Sequence, residues 1–265
     1  MKLAFYIKKR RLLSHPAYLA LRERLSVCDL YDIDGAEDLK EGTDAVLSVG
    51  GDGTFLSASR IVAGTDVPVL GVNLGRLGFL SEYNPDEIAG RLLSGEYVIE
   101  EREMLSASVD GHEPQYALNE ITVARKGAVM IGVDVKLDGA PLPTYWADGL
   151  VVATSSGSTA YSMSVGGPIC TPDSKVLVIS PIAPHNLNIR PLVVPSHTQI
   201  GLSVKCREKA AILTMDNRSE VIDPTCCISV SVAQFSLKRI RLGESNFIGA
   251  LRSKLHWGED VRNEE

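Results

Sequence analysis

The sequence predicts an α/β N-terminal domain with a parallel sheet, followed by a β-rich, sandwich-like C-terminal domain. Strand-like and helix-like segments alternate up to residue 96, and closely spaced strand-like segments dominate from there to residue 240. Alternating strands and helices are typical of a parallel sheet covered by helices. We therefore expect domains at 1–96 and 97–240, with residues 241–265 forming a C-terminal helix that packs back on the N-terminal domain.

In the N-terminal domain, short apolar runs predict strands and segments with helical spacing predict helices. The predicted strands are KLAFYI, AVLSV and VPVLGVN, and the predicted helices are HPAYLALRERLSV, FLSASRIVAG and NPDEIAGRLLSGE. The last helix has Asn84 as a candidate N-cap, Pro85 at its first position and Gly95 near its end, as helix boundaries commonly do.

In the C-terminal domain, eight segments read as strands with few helices between them, which favours a β-rich architecture. Asp110-Gly111 and Asp138-Gly139 are typical of hairpin turns. The segment ESNFIGALRSKLHW then returns to helical spacing.

Composition places the chain among globular proteins with a sizeable core. It has 265 residues, of which 45% are hydrophobic and 23% charged, and a net charge of −6. An acidic chain is a poor candidate for general nucleic-acid binding, which needs clustered Lys and Arg. MKLAFYIKKRR reads as a first strand rather than a signal peptide, and no apolar run reaches the roughly 18 residues of a membrane span. Five cysteines without CxxC spacing indicate reduced thiols, so we expect a cytoplasmic protein without a nucleic-acid or membrane partner.

A glycine-rich loop stands between a predicted strand and a predicted helix. In AVLSV–GGDGT–FLSASRIVAG, three glycines surround one carboxylate, Asp52. At such a junction the backbone N–H groups and the positive end of the helix dipole point at a bound phosphate. A tight turn is the other explanation, because Asp-Gly is a common hairpin dipeptide. Neither a P-loop nor a GxGxxG fingerprint is present, so both explanations stay open for the loop alone.

Two further clusters set polar side chains beside apolar strands. Residues 148–168, DGLVVATSSGSTAYSMSVGGP, place small hydroxyl side chains after a strand, with the ring of Tyr161 available for stacking. By itself this stretch is better explained as an ordinary Ser/Thr-rich loop. Asn119 and Glu120 interrupt the apolar strand LNEITV and point to opposite faces, so one of them is free to face solvent.

Taken together, these motifs resemble the NAD kinases. GGDGT, GRLGFLSE (75–82), LNE (118–120), the 148–168 segment and SPIAPHNLNIRPLVVP (180–195) occur in the order and spacing of that family, over most of the chain. GGDGT is shared with diacylglycerol and sphingosine kinases, whereas GSTAY between DG and GGP is far more specific. The resemblance implies a NAD kinase/diacylglycerol kinase-like fold. It also implies transfer of the γ-phosphoryl group of ATP, or of polyphosphate in some members, to the 2′-hydroxyl of the adenosine ribose of NAD.

The resemblance gives Asp52 the role of the base that takes the proton from the 2′-hydroxyl. Gly51 and Gly53 would then allow the ribose and the phosphates to approach the backbone closely. Mg²⁺ would be the divalent cofactor, held mainly by the donor phosphates and water rather than by a dedicated set of protein ligands. Positioning and charge neutralisation carry most of the catalysis in phosphoryl transfer.

Nucleotide-binding roles are also implied by the resemblance. Asn119 resembles the reader of the adenine N6/N7 edge, Glu120 the acid that holds the ribose hydroxyls, and Asp148 the acid near the nicotinamide, which in the family can come from a neighbouring subunit. A homodimer or homotetramer is therefore expected. Arg76, the nearest cation to GGDGT in sequence, is a candidate phosphate contact or, equally, a solvated loop charge. The other implied contacts with NAD or ATP are Gly51, Gly53, Thr54, Phe79, Ser158, Thr159, Ala160, Tyr161 and Ser164.

Three positions depart from the family pattern. Ser155 stands where a proline is usual, Trp146 where an arginine is frequent, and Asn217 where the common DGQ has glycine.

Two alternative functions also remain. A diacylglycerol-type lipid kinase would share GGDGT, but it leaves GSTAY and LNE unexplained and needs a membrane-facing surface that the sequence does not indicate. A catalytically silent nucleotide-binding protein would have had little reason to keep Asp52.

Overall fold

The computed structural model describes residues 1–75, 78–243 and 247–257. By its internal contacts the chain forms two compact units, Met1–Glu101 with Leu237–Glu265, and Arg102–Ser236. In chain order the strands are β1 (Lys2–Tyr6), β2 (Asp29–Ile33), β3 (Ala45–Val49), β4 (Val69–Val72), β5 (Tyr97–Val109), β6 (Gln115–Ala117), β7 (Glu120–Arg125), β8 (Ile131–Leu137), β9 (Ala140–Pro141), β10 (Tyr145–Ala147), β11 (Gly149–Thr154), β12 (Val176–Ile182), β13 (Leu192–Pro195), β14 (Ile200–Lys205), β15 (Ala211–Met215), β16 (Arg218–Ile222) and β17 (Cys227–Leu242). The α-helices are α1 (Pro16–Arg24), α2 (Asp52–Ile61), α3 (Pro85–Ser94), α4 (Tyr161–Ser164) and α5 (Phe247–Leu255), and the 3₁₀ helices are Arg10–Ser14, Ala36–Asp38 and Ser156–Thr159.

The first unit is built on a parallel sheet. Its strand order is β17–β4–β3–β1–β2, and every neighbouring pair in that order is parallel. All five residues of β3 are buried, as expected for a central strand covered on both faces. The core joins Leu47 and Leu70 of the sheet to Leu21 of α1 and Ile88 of α3. The α/β prediction is confirmed, although the pattern did not predict β2.

Helix α3 begins and ends where the sequence predicts. Pro85 is its first residue, Asn84 precedes it in an extended conformation, and Gly95 closes it with φ +76°. Helix α2, however, begins at Asp52 rather than at Phe55. The N–H groups of Thr54 and Phe55 both donate to the Gly51 carbonyl, at 2.8 and 3.2 Å, and so draw the end of GGDGT into the first helical turn.

The second unit is a β-sandwich. One sheet is antiparallel with the order β13–β12–β11–β7–β15–β16, and β10, β8, β14 and β17 form a second antiparallel set. A single apolar cluster takes alternate residues from both, including Ile121 and Val123 of β7 and Leu202 of β14. The predicted β-rich, sandwich-like domain is therefore confirmed.

Both predicted Asp-Gly turns are present in the second unit. Asp110 and Asp138 have φ +49°, and the glycines that follow have φ +75° and +84°. Positive φ at both central residues is the geometry that makes Asp-Gly favourable in a hairpin. A third tight turn, at Asp216 with φ +51°, joins β15 to β16.

None of the helices in the described part of the chain has both the length and the apolar character of a transmembrane segment. All five cysteines carry free thiols.

Candidate active site

The GGDGT segment joins β3 to α2. Gly50 has φ +151°, and a Cβ there would lie 2.4 Å from Oγ1 of Thr54, so this position requires glycine. The side chain of Thr54, a predicted nucleotide contact, is 6% exposed and packs under this turn. Gly51 and Gly53 differ from Gly50, because a Cβ at either would meet no atom of the described residues within 4 Å. Among the described residues, the protein therefore leaves room for a side-chain atom at Gly51 and at Gly53.

The Asp52 carboxylate is held by backbone N–H groups of the segment 78–82. Oδ2 accepts from Phe79 at 2.8 Å, and Oδ1 accepts from Leu80 at 3.0 Å and Ser81 at 2.9 Å. A Cβ at Gly78 would overlap this carboxylate, so the close approach depends on that glycine. A carboxylate offers about four acceptor positions, and three N–H bonds leave room for one more donor. The sequence did not reveal that Asp52 would be oriented in this way.

Buried polar side chains fix the rest of this loop. Asn73, 3% exposed, accepts from the N–H of Gly75 at 2.7 Å and donates to the Ser81 carbonyl at 3.1 Å. Arg239, also 3% exposed, pairs with Glu82 at 2.9 Å. Neither residue was predicted, because a lone Asn and a lone Arg at strand ends carry no pattern. The predicted phosphate contact Arg76 lies outside the described residues.

In the second unit, Glu120 is the first residue of β7 and Asn119 directly precedes it, and both are buried, with exposures of 8% and 7%. The alternative in which one of them faces solvent is therefore wrong. Oδ1 of Asn119 and Oε2 of Glu120 have no hydrogen-bond partner within the described part of the chain. A buried acceptor without a partner costs roughly 1–3 kcal/mol, so two of them on consecutive residues indicate a place for a donor from outside the chain.

Asp216 holds the backbone of this pair. Its carboxylate accepts the N–H groups of Leu118 and Asn119 at 2.8 Å each and that of Glu120 at 3.3 Å. The turn between β15 and β16 supplies Asp216, next to Asn217, where the family's DGQ would stand. The sequence of this turn does not indicate that Asp216 contacts residues about 100 positions earlier, so the sequence analysis did not predict its role.

Burial raises the pKa values of the Glu120 and Asp216 carboxyl groups. Desolvation, and then the nearby Asp216, raise the pKa of Glu120 to about 8, against a hydrogen bond from the Tyr161 N–H that lowers it. Desolvation likewise raises the pKa of Asp216 above its usual range, opposed by its three backbone donors. Near pH 7 most of the Glu120 carboxyl is therefore protonated, and it can both donate and accept a hydrogen bond.

The GSTAY segment packs directly against this pair. A Cβ at Gly157 would lie 2.1 Å from the Asn119 carbonyl oxygen, so glycine is required there by the protein's own backbone. Thr154 links the two segments, since its Oγ1 donates to the Leu118 carbonyl at 2.7 Å and accepts the Gly157 N–H at 3.1 Å. The glycine that the sequence presents as a ligand-binding feature has a packing role as well.

The other residues of this segment differ in their exposure to solvent. Ser158 is fully buried, and its hydroxyl bonds to the carbonyl of Ser155 and the N–H of Cys170. Thr159 and Ala160 are half-buried, whereas Tyr161 and Ser164 are exposed. Ser155, in place of the usual proline, donates to the Pro172 carbonyl at 3.0 Å, so a hydrogen bond restrains the loop at that position.

Asp148 lies apart from this cluster. It precedes β11, whose far end carries Ala153 opposite Glu120, so about 17 Å of strand separates the two acids. Its carboxylate pairs with Arg125, with 2.7 Å between Nε and Oδ1 and 3.2 Å between Nη2 and Oδ2. Of the predicted second-unit residues, Asp148 is the one that the fold does not bring to Asn119 and the GSTAY segment.

Comparison with known proteins agrees with these features. Residues 25–97 match the family model of the ATP-NAD kinase N-terminal domain, and residues 118–242 match that of the C-terminal domain. A NAD kinase of Flavobacterium psychrophilum is 42% identical over 253 residues, which cover 92% of this chain and 86% of that protein. One from Porphyromonas gingivalis is 44% identical over 242 residues, covering 89% and 82%.

The chain belongs to the NAD kinase family.

Solved structures extend this result to the fold. A NAD kinase from Archaeoglobus fulgidus, in complex with ATP, has a TM-score of 0.80 and 28% identity, over 96% of this chain and 99% of that one. A yeast NADH kinase complexed with NADH has a TM-score of 0.87 at 23% identity, over 100% and 90% of the two chains, and is similar in fold. The NAD kinase fold is thus shared over essentially the whole chain.

Proposed function

We propose that this chain transfers the γ-phosphoryl group of ATP to the 2′-hydroxyl of the adenosine ribose of NAD, producing NADP. Membership of the NAD kinase family supports this reaction and does not favour a lipid kinase or a silent binding protein. The structural observation that carries the proposal is that two buried oxygen atoms, Oδ1 of Asn119 and Oε2 of Glu120, have no hydrogen-bond partner among the described residues. Adenine N6 and the ribose hydroxyls are donors of the kind these atoms lack.

In this proposal the second unit binds the adenosine part of NAD. Asn119 accepts from adenine N6, and its amide donates to N7. Glu120 is mostly protonated near neutral pH, because burial raises its pKa to about 8, and so it can donate to one ribose oxygen and accept from a hydroxyl. Thr159, Ala160 and the exposed ring of Tyr161 form the adenine-contacting turn, with Ser158 holding its backbone and Ser164 at its open end.

In the first unit, Asp52 takes the proton from the 2′-hydroxyl. Its three N–H bonds orient the carboxylate and leave one acceptor position for that proton. Gly51, Gly53 and the helix N-terminus would receive phosphate, since a Cβ at either glycine would meet none of the described residues within 4 Å. Phe79 forms an apolar wall, Thr54 supports the turn, and Arg76 contacts a phosphate.

Mg²⁺ is the proposed divalent cofactor, and it would neutralise charge on the donor phosphates. Among the described residues, no group of three or more His, Cys, Asp or Glu side chains is arranged to hold a metal ion. The Asp52 oxygens are largely occupied by N–H donors. An ion of this kind would enter with ATP and keep several water ligands.

The assembly and location of the enzyme are also proposals. Membership of the NAD kinase family supports a homodimer or homotetramer in which Asp148 serves a neighbouring subunit's nicotinamide. Five free thiols support a cytoplasmic location, where cysteines stay reduced.

A coupled assay tests the reaction. Purified protein is incubated with Mg-ATP and NAD, and NADP is detected with a dehydrogenase that accepts only NADP. We expect NADP formation that requires both ATP and the divalent ion. Parallel reactions replace ATP with polyphosphate, or NAD with diacylglycerol vesicles. Phosphorylation of the lipid without NADP formation would contradict the proposal, and so would NAD binding without turnover.

A further inference from the structure

Helix α5 brings a buried ammonium group to the segment that holds Asp52. Nζ of Lys254 lies 4.6 Å from the ring centroid of Phe79 and 3.7 Å from Oε1 of Glu82, and its side chain is 7% exposed. The contact with Glu82 is longer than a hydrogen bond, and Nζ has no hydrogen-bond partner among the residues described. A desolvated ammonium of this kind is a cost to the folded state. Consistently, burial lowers the pKa of Lys254 and the charge of Arg239 adds to that shift, while the carboxylates of Glu82 and Asp52 oppose it.

The fold does not need Lys254 to neutralise Glu82. Arg239 is buried and contacts the same carboxylate with 2.9 Å between Nη2 and Oε1. Removing Lys254 would therefore leave Glu82 with a cationic partner. In most buried ion pairs, by contrast, removal of one partner leaves the other charge buried without a counter-charge. A buried cation that stability does not require is a candidate for a role in function.

The contacts of Lys254 converge on the segment 78–82. The N–H groups of Phe79, Leu80 and Ser81 donate to Asp52 on one side. On the other side, Arg239 donates to the Leu80 carbonyl at 3.4 Å. Lys254 adds a cation over the ring of Phe79, the first of the three residues whose N–H groups hold Asp52.

We propose that Lys254 is a positioning residue for phosphoryl transfer, which fixes the segment 78–82 through the Phe79 ring and Glu82 and thereby orients the Asp52 carboxylate. This inference rests on the proposed function. It assigns to the C-terminal helix a part in the site that the motifs of the family do not include.

Lys254→Met tests the inference, and Lys238→Met is the matched control. Nζ of Lys238 pairs at 2.5 Å with Asp66, and the side chains of the two residues are 33% and 94% exposed, so this lysine of the same unit is more open to solvent than Lys254, at 7%. We expect kcat of Lys254→Met to fall about 10- to 100-fold, as a small misplacement of a catalytic group can do, with KM for NAD within about two-fold. Its Tm should not decrease. Lys254→Arg should recover part of kcat, because a guanidinium also binds an aromatic face, and Lys238→Met should match the wild type.

A double-mutant cycle with Phe79→Leu separates positioning from other roles. If Lys254 acts in part through the ring, Lys254→Met should lower kcat by a clearly smaller factor in the Phe79→Leu background than in the wild type. Independent, multiplicative losses would overturn the inference, and so would a lower Tm with wild-type kcat per folded molecule.

Hydrogen exchange gives a measurement that does not depend on turnover. The amides of residues 79–81 should exchange at least several-fold faster in Lys254→Met than in the wild type or Lys238→Met, because they are bonded to Asp52 only while the segment is fixed. Unchanged exchange would overturn the inference. Inactive wild-type enzyme in the coupled assay would instead contradict the proposed function, whatever the exchange result.

Discussion

Replacement of Glu120 by glutamine should change how the stability of the second unit depends on pH. The pKa of Glu120 is about 8 in the folded protein, against a reference value of 4.5. Between these values the folded state binds one more proton at this site than the unfolded state, so the wild type loses stability as pH rises. The stabilising contribution is complete below pH 4.5 and is lost once the pH exceeds about 8.

The expected change in the free energy of unfolding follows from the difference between the folded and reference pKa values of Glu120. Full linkage by one proton changes the free energy of unfolding by about 1.4 kcal/mol per pH unit. Glu120→Gln removes that dependence, so the stability of the variant relative to the wild type should rise by at most about 3 kcal/mol between pH 5 and pH 7. Asp216, whose pKa is also raised, remains in both proteins, and its coupling to Glu120 is part of the pH dependence that Glu120→Gln removes.

Urea unfolding followed by tryptophan fluorescence measures this difference. The chain has two tryptophans, so Trp257→Phe as the common background leaves Trp146, in the second unit, as the reporter. Glu113→Gln, at an exposed site, controls for the loss of one carboxylate. A stability difference between Glu120→Gln and the wild type that stays constant from pH 5 to pH 8 would refute the raised pKa and the protonated Glu120 of the proposed mechanism.

Four substitutions test other parts of the site. Asp52→Asn should lower kcat about 10²- to 10⁴-fold with Kd for NAD by calorimetry within a few-fold, and near-normal kcat would exclude Asp52 as the base. Gly53→Val should abolish activity while the circular dichroism spectrum stays native, because its side chain enters open space; retained activity would mean that no substrate approaches there. Gly157→Ala should lower the free energy of unfolding by about 1–3 kcal/mol in urea titrations, because its Cβ would meet the Asn119 carbonyl oxygen, and wild-type stability would show that the backbones separate freely. Asn119→Ala should weaken kcat/KM for NAD and erase a roughly ten-fold preference for NAD over its hypoxanthine analogue, whereas an unchanged ratio would exclude adenine reading by Asn119.

The sequence by itself determined the element types and the chemical class of the protein. Strand and helix periodicity identified the parallel sheet and the sandwich, because each buried face requires apolar residues at its own spacing. Asn84, Pro85 and Gly95 marked the ends of α3 for local reasons, and so did the Asp-Gly turns. GGDGT and GSTAY sufficed to identify the family, since each is a contiguous run of residues.

Only the tertiary structure decided how these residues are held. Asp216 reaches the N–H groups of residues 118–120, and Lys254 reaches Phe79, across separations of about 100 and 175 positions that no local pattern records. It also showed that Asn119 and Glu120 are both buried, which strand alternation alone did not predict. The physical reason is that burial and hydrogen bonding depend on which distant segments pack together, and a pKa near 8 at Glu120 follows from that packing and not from its neighbours in sequence.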